Sequence, residues 1–276
     1  MSWKLNVPKI LHLYWGTGSL PYLRYCTITS FMKYNPDWIV KLWRPLYPAK
    51  VVTWKTKQLN YKNTWTDYTA AMLDLPIEEQ LIDFEDFGLS NDTSEVIKSD
   101  FLRYWLLTEY GGVWSDMDIL YFRSINCLKV NALDNKDKET FVCISPKYGH
   151  SNGFFMAAKE SVFFRRMTGM ADINNSEYQC AGPNSCNKYF PTIETINAIS
   201  PAMDIGMEAV YPLDGNSISK IYNMGTIKFS LHSIGLHWYA GHQSAGLFLK
   251  ATNGGVNNIS NSILGSLLRY ETEKTF

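Results

Sequence analysis

The 276-residue chain has no apolar stretch near the ~18 residues that a membrane-spanning helix requires, so no transmembrane anchor is expected. Neither charge sign is in surplus, with 26 Lys and Arg against 26 Asp and Glu. A nucleic-acid footprint usually needs a basic excess, so nucleic acid stays open as a partner but is not favoured. Met1 to Pro8 holds no long apolar run and Ile10 to Trp15 is too short for a signal core, so no secretory leader is expected. Cysteine is sparse, odd in number and without zinc-site spacing: Cys26, Cys127, Cys143, Cys180 and Cys186. They read as free thiols of a reducing compartment, the cytoplasm, although Cys180 and Cys186 could clip a loop. There is no internal repeat, no low-complexity tract and no separating linker, which leaves a single domain.

What is abundant is aromatic: 9 Trp, 17 Tyr and 14 Phe. Such rings fill cores, and they also stack on sugars and bases. Along the chain, Lys9 to Trp15 (KILHLYW) predicts a buried strand, and Pro21 to Tyr34 a helix ended by Asn35-Pro36. Trp38 to Trp43 predicts a second strand, so the chain opens as a strand, a helix and a strand, the start of a nucleotide-binding α/β fold. One or two helices are expected between 45 and 90. Asn91-Asp92-Thr93-Ser94 offers helix N-caps to a strong helix from Val96 to Tyr110, which Gly111-Gly112 stops. Val113 to Tyr121 predicts a strand, as do Phe141 to Ser145 and Gly153 to Ala158. Ser161 to Met170 and Asn258 to Tyr270 predict helices.

The chemistry concentrates between 96 and 118. On a helical wheel Phe101, Leu102, Trp105 and Leu106 share one half with Ile97, while Ser99, Asp100 and Arg103 share the other. Alone, that second half reads as a solvated face with a weak Asp100–Arg103 pair. The next segment, VWSDMDIL, changes the reading. On a strand Trp114, Asp116 and Asp118 would share a face, with the two carboxylates ~7 Å apart by the rise per residue. Carboxylates in an apolar strand are costly to bury without a cation, and oxygen ligands suit Mg²⁺ or Mn²⁺, which also bind substrate phosphates.

The run from Lys98-Ser99-Asp100-Phe101-Leu102-Arg103-Tyr104 through Gly111-Gly112-Val113-Trp114-Ser115-Asp116-Met117-Asp118 resembles the signature of the Asp-x-Asp sugar-binding glycosyltransferases of family 32. That family includes initiating mannosyltransferases and capsule enzymes, and the clostridial glucosylating toxin domains are similar in the same motif. The resemblance implies a GT-A fold, an α/β Rossmann-like mixed sheet flanked by helices, and a metal-dependent transfer with retention of configuration. It implies that the leaving phosphate acts as base in a front-side attack. It also implies roles. Asp118 would ligate the metal, and Asp116 would meet the metal and the donor ribose. Asp100 and Arg103 would hold hydroxyls of the donor sugar, and Trp114 would meet the donor through an apolar face. Lys9 to Gly16 resembles the family's first strand, so Trp15 would stack on the base beside Tyr14, with Ser99 lining base or ribose. Asn152 in Asn152 to Ala158 would face the donor sugar, and Ala181-Gly182-Pro183 resembles a turn on the acceptor side. Leu236 to Gly241 resembles the closing motif, in which His237 would complete the metal shell or contact a phosphate. The family often closes on Ser-Trp where this chain has His242-Gln243.

The expected activity is therefore hexosyl or N-acetylhexosaminyl transfer from a nucleotide-sugar donor, a UDP-sugar in preference to GDP-mannose, with Mn²⁺ or Mg²⁺, to a glycan, a protein or another hydroxyl acceptor. The nucleotide-binding part would occupy residues 1–125, the acceptor part 126–250, and a C-terminal helix 257–272. Four other readings compete with this one. A haloacid-dehalogenase phosphatase places its Asp pair after the first strand and continues Gly-Thr. Two carboxylates of a glycosidase would face each other across a cleft. A non-catalytic sugar-binding module would not need Asp100, Arg103, Asp116 and Asp118 together. A glycosyltransferase of hydroxylated DNA bases could use Lys55, Lys57 and Lys62 as a local basic patch.

Overall fold

A computed structural model describes residues 2–49, 65–174, 179–257 and 261–273. The lysines at 55, 57 and 62 lie outside the described residues. The first half of the chain builds β1 (Ile10–Tyr14), α1 (Tyr22–Tyr34), β2 (Ile39–Pro45), α2 (Thr69–Leu73), β3 (Glu78–Ile82), α3 (Glu95–Glu109), β4 (Gly112–Ser115) and β5 (Ile119–Tyr121). The second half adds β6 (Thr140–Ser145), β7 (Gly149–Ala157), α4 (Val162–Met170), α5 (Pro183–Tyr189), α6 (Ile193–Asn197), β8 (Ala202–Asp204), β9 (Gly235–His237), α7 (Gln243–Ala251) and α8 (Ile263–Glu273).

Seven strands form a mixed sheet in the order β3-β2-β1-β4-β7-β6-β8, and β5 pairs with β9 in a second, two-stranded sheet. β1 runs parallel to both β2 and β4, whereas β7 is antiparallel to β4 and β6. Both faces of the large sheet are covered, which is why KILHLYW is apolar without alternation. Leu11, Leu13, Val113, Phe154 and Met156 enter a core shared with α1. Tyr14, Trp114, Phe155 and Ala157 enter a second core beneath α3 and α4. A third cluster joins β5 and β9 to α7 and α8. β3 (EEQLI) was not expected, because its mostly exposed face carries no apolar alternation; its parallel register to β2 comes from tertiary pairing. The C-terminal helix begins at Ile263, later than its expected start. All five cysteines are free thiols, so the expected alternative of a Cys180–Cys186 clip does not form.

The helix before the acidic motif forms for reasons visible in its ends. The Ser94 hydroxyl caps it by accepting from Ile97 N at 3.3 Å. At the other end Gly111 and Gly112 have φ of +63° and +96°. A Cβ there would stand 2.6 Å from Lys159 N and from Ile10 O respectively, so only glycine lets the helix turn straight into the sheet. His12 fastens this turn from β1. Its Nε2 donates to Gly111 O at 2.9 Å and its Nδ1 accepts the Trp43 indole N–H at 3.1 Å.

One expectation is corrected. Val113 to Tyr121 is not one strand. The large sheet ends at Ser115, the chain turns through Asp116-Met117-Asp118, and it re-enters pairing as β5 against β9. The physical reason lies in who takes the backbone groups. Asp116 N donates to Gly153 O on β7, Thr27 of α1 donates to Met117 O, and Trp238 N donates to Asp118 O. Met117 is buried in the core between two carboxylates that face away from it. The acids thereby come closer than the ~7 Å of a continuous strand.

Burial pushes the His12 imidazole down to about 4, with Lys41 adding to it and the Gly111 carbonyl opposing. The native ring is neutral while an unfolded one takes a proton near its ordinary value, so this contribution is present above that value and is lost as pH falls toward 4. Melting temperature should drop between pH 6.5 and 4, and His12→Gln, which cannot titrate, should show a flatter drop; equal slopes would contradict the assignment.

Candidate active site

α3 delivers Arg103 to the junction of α3, β4 and β7. The half that read as a solvated helix face is buried: Asp100 and Arg103 are each 4 % exposed. Arg103 Nη2 pairs with Asp100 Oδ1 at 2.8 Å and stands 3.7 Å from Asp116 Oδ1. Its Nη1 donates to Asn152 O at 2.5 Å, and its Nε and Nη2 donate to the carbonyl and hydroxyl of Ser99, both at 3.3 Å. The guanidinium lies 5.0 Å above the Trp114 ring. Burial and Asp116 push the Asp100 carboxyl up to about 6, against the opposing pull of Arg103.

Asp116 is the more open acid, with a side chain 31 % exposed. Trp114 Nε1 donates to its Oδ1 at 2.9 Å. Trp114 itself is 1 % exposed, so it meets Asp116 and Arg103 rather than open solvent; the apolar donor face expected of it is taken up by packing. Asp118 Oδ2 accepts from Ala240 N at 2.8 Å and its Oδ1 lies 3.1 Å from His237 Nε2. Burial works against ionising Asp118, but His237, Arg24 and the Ala240 N–H together hold it below the usual carboxylate range. His237 Nδ1 accepts from Tyr239 N at 3.2 Å, so Nε2 carries the ring proton and donates to Asp118; ligation through Nε2 takes the other tautomer and gives up both hydrogen bonds.

The structure thus brings Asp100, Arg103, Trp114, Asp116, Asp118, Asn152 and His237 together. Ligand atoms of Asp116, Asp118 and His237 all lie within 4.8 Å of one another. Three carboxylates face two guanidiniums, those of Arg103 and Arg24, which leaves one formal negative charge in excess. That balance and the mixed carboxylate–imidazole donor set fit a divalent cation. Asn152 donates from its amide nitrogen to Tyr104 at 2.8 Å, while its buried Oδ1 has no partner among the described residues. The Gly182-Pro183 turn opens α5 and packs on Asp100, where a Cβ at Gly182 would stand 2.5 Å from Oδ2. The residues expected on the nucleotide side sit at the end of β1. Trp15 is half-buried and donates to Gly18 O at 3.1 Å. Tyr14 is buried and its hydroxyl is held by Glu95, so it supports this corner from beneath.

Two neighbours escaped the sequence reading. Arg24 of α1 lies 5.1 Å over Trp15 and 5.5 Å over Trp238, and the charges of Asp118 and Asp116 support its cation against burial. A basic residue in an otherwise apolar helix turn was the available signal. Tyr211 packs at a tilt against His237 with ring centroids 5.0 Å apart, and burial first, then neighbouring groups including Asp116, raise its hydroxyl well above the ordinary value. Tyr211-Pro212 follows an irregular stretch, where no periodicity marks it.

Arg103→Ala leaves Asp100 buried without its cation, a change that typically costs about 3–5 kcal/mol. Urea unfolding of that variant should show a loss of this order; an unchanged midpoint would contradict a buried pair at the centre of the site.

Residues 21–137, from α1 past the acidic turn, match the glycosyltransferase sugar-binding region containing a DXD motif. No curated protein sequence matches the chain. Among solved structures, the glycosyltransferase GlyE of Streptococcus pneumoniae TIGR4 aligns with a TM-score of 0.51 at 10 % identity, covering 98 % of this chain and 64 % of GlyE. The PaToxG glycosyltransferase aligns at 0.45 with 15 % identity, covering 70 % of this chain and 74 % of that one. An active-site mutant of LgtC aligns at 0.42 with 14 % identity, covering 83 % and 87 %. The chain spans just under two thirds of GlyE, with which it shares the fold. Residues 21–137 therefore carry a glycosyltransferase sugar-binding region with its DXD motif, built around the acidic turn and the buried Arg103, on a GT-A fold shared with GlyE.

Proposed function

We propose that the enzyme transfers a hexose-type sugar from a nucleotide-sugar, a UDP-sugar in preference to GDP-mannose, to a hydroxyl acceptor on a glycan or protein, with retention of configuration and with Mn²⁺ or Mg²⁺ as cofactor. The observation that carries this reading is the convergence of Asp116, Asp118 and His237 on one turn and its pairing strand. These three residues would hold the ion, which, when bound, neutralises the diphosphate as the sugar–oxygen bond breaks.

The chain's own residues then divide the work. Trp15 offers a ring to the base at the end of β1. Arg103, Asp100 and the Asn152 carboxamide orient the donor sugar, a proximity contribution. Trp114 holds Asp116 at Oδ1 and Ala240 N holds Asp118 at Oδ2, which orients both carboxylates toward the ion site. In the front-side attack that the family resemblance implies, the proton of the acceptor hydroxyl passes to the leaving phosphate oxygen. Residues 1–125 supply most of the donor side and 126–250 the acceptor side. The odd, scattered cysteines support a cytoplasmic setting, and no described helix is long and apolar enough to cross a membrane.

A screen of nucleotide-sugars for slow hydrolysis tests this reading without knowing the acceptor. One donor should be hydrolysed with Mn²⁺ present, EDTA should abolish the reaction, and Mn²⁺ should restore it. Asp118→Ala should stay folded and lose turnover. Full activity after exhaustive chelation, or unchanged turnover in the variant, would contradict the metal assignment.

A further inference from the structure

The Tyr211 hydroxyl is buried and has no hydrogen-bond partner among the described residues. Leaving such a group unpaired is unfavourable, and native proteins carry few of them. Tyr211 is not loosely held. Its N–H donates to Met207 O at 2.7 Å, and its neighbour Val210 accepts from His237 N at 2.7 Å, so the segment is docked against β9. The ring packs against the His237–Tyr239 pair, with centroids 5.0 and 6.2 Å away.

Gly153 shows where the hydroxyl points. A methyl group added there would stand 2.7 Å from the Tyr211 hydroxyl, 2.9 Å from Asp116 Oδ2 and 3.2 Å from His237 Nε2. Phenol, carboxylate and imidazole thus close on one small space that glycine leaves free. Asp116 is tethered at Oδ1 by Trp114, while Oδ2 faces this space.

We propose that Tyr211 is a positioning residue of the ion site, whose hydroxyl donates to Asp116 Oδ2 in the loaded enzyme and fixes the carboxylate that Trp114 holds at its other oxygen. The inference rests on the reading of Asp116, Asp118 and His237 as ion ligands. Hydrogen bonds that orient a ligating carboxylate typically change metal affinity by about 10–100-fold. Gly153 belongs to the same device, because a side chain there would wedge the phenol from the acid.

Mn²⁺ binding, followed by the free-ion electron paramagnetic resonance signal with and without UDP, separates the possibilities. Wild type should bind Mn²⁺ and Asp118→Ala should not. Tyr211→Phe, which removes only the unpaired hydroxyl, should keep or slightly raise the melting temperature while weakening Mn²⁺ about 10–100-fold. In turnover, that variant's deficit should shrink as Mn²⁺ is raised. If Tyr211→Phe binds Mn²⁺ like wild type, the Tyr211 inference fails alone. A lower melting temperature with unchanged Mn²⁺ affinity would make the tyrosine structural and also overturns it. If wild type binds no Mn²⁺ under either condition, the ion-site reading fails and the Tyr211 inference with it.

Discussion

The Arg103 guanidinium is the contact on which the remaining site geometry depends. It carries a full charge inside the protein and is paired at 2.8 Å with Asp100, one helical turn away on its own helix. Its Nη1 reaches the backbone of β7 at Asn152, and its flat face covers the indole that grips Asp116. Helix, central sheet and acidic turn are therefore fixed to one planar group, a task for which the five-donor fork of arginine is suited and a lysine is not. A buried pair of this kind is weak evidence for stability, since desolvation consumes much of the Coulomb gain. Its value here is positional: it holds two carboxylates in fixed orientation beside a region of excess negative charge.

The acidic turn shows how a fold converts a short motif into a site. Met117 is driven into the core, so the residues on either side of it turn outward together. Hydrogen bonds from α1, β7 and β9 each satisfy one backbone group of the turn, and β9 brings His237 with it. The sheet boundary is thus placed where the chain must leave main-sheet pairing, and it is the second small sheet that brings His237 beside the two carboxylates.

Much of this was legible in the sequence, for local reasons. The apolar β1 segment, the Ser94 cap and the Gly111-Gly112 stop depend on propensity and backbone conformation, and each lies within one residue or two of its expected place. Asp100, Arg103, Asp116 and Asp118 were recognisable from their spacing and from the family resemblance together. What was not legible depends on long-range packing. The burial of Asp100 and Arg103 is set by β7 and α5, far away in sequence, so the wheel alone favoured a wet face. The turn at Asp116 to Asp118 looked like strand because its flanks are β-rich; only pairing to β9, more than a hundred residues on, breaks it. Arg24 and Tyr211 reach the site from a helix and an irregular loop, where no period points inward.

The central claim is that Asp116, Asp118 and His237 hold one divalent cation. Crystals grown with MnCl₂ and UDP and measured at the manganese absorption edge test it directly. The account predicts an anomalous difference peak in contact with all three side chains, adjoining the diphosphate. An anomalous peak elsewhere, or a bound diphosphate with no peak between these residues, would contradict it.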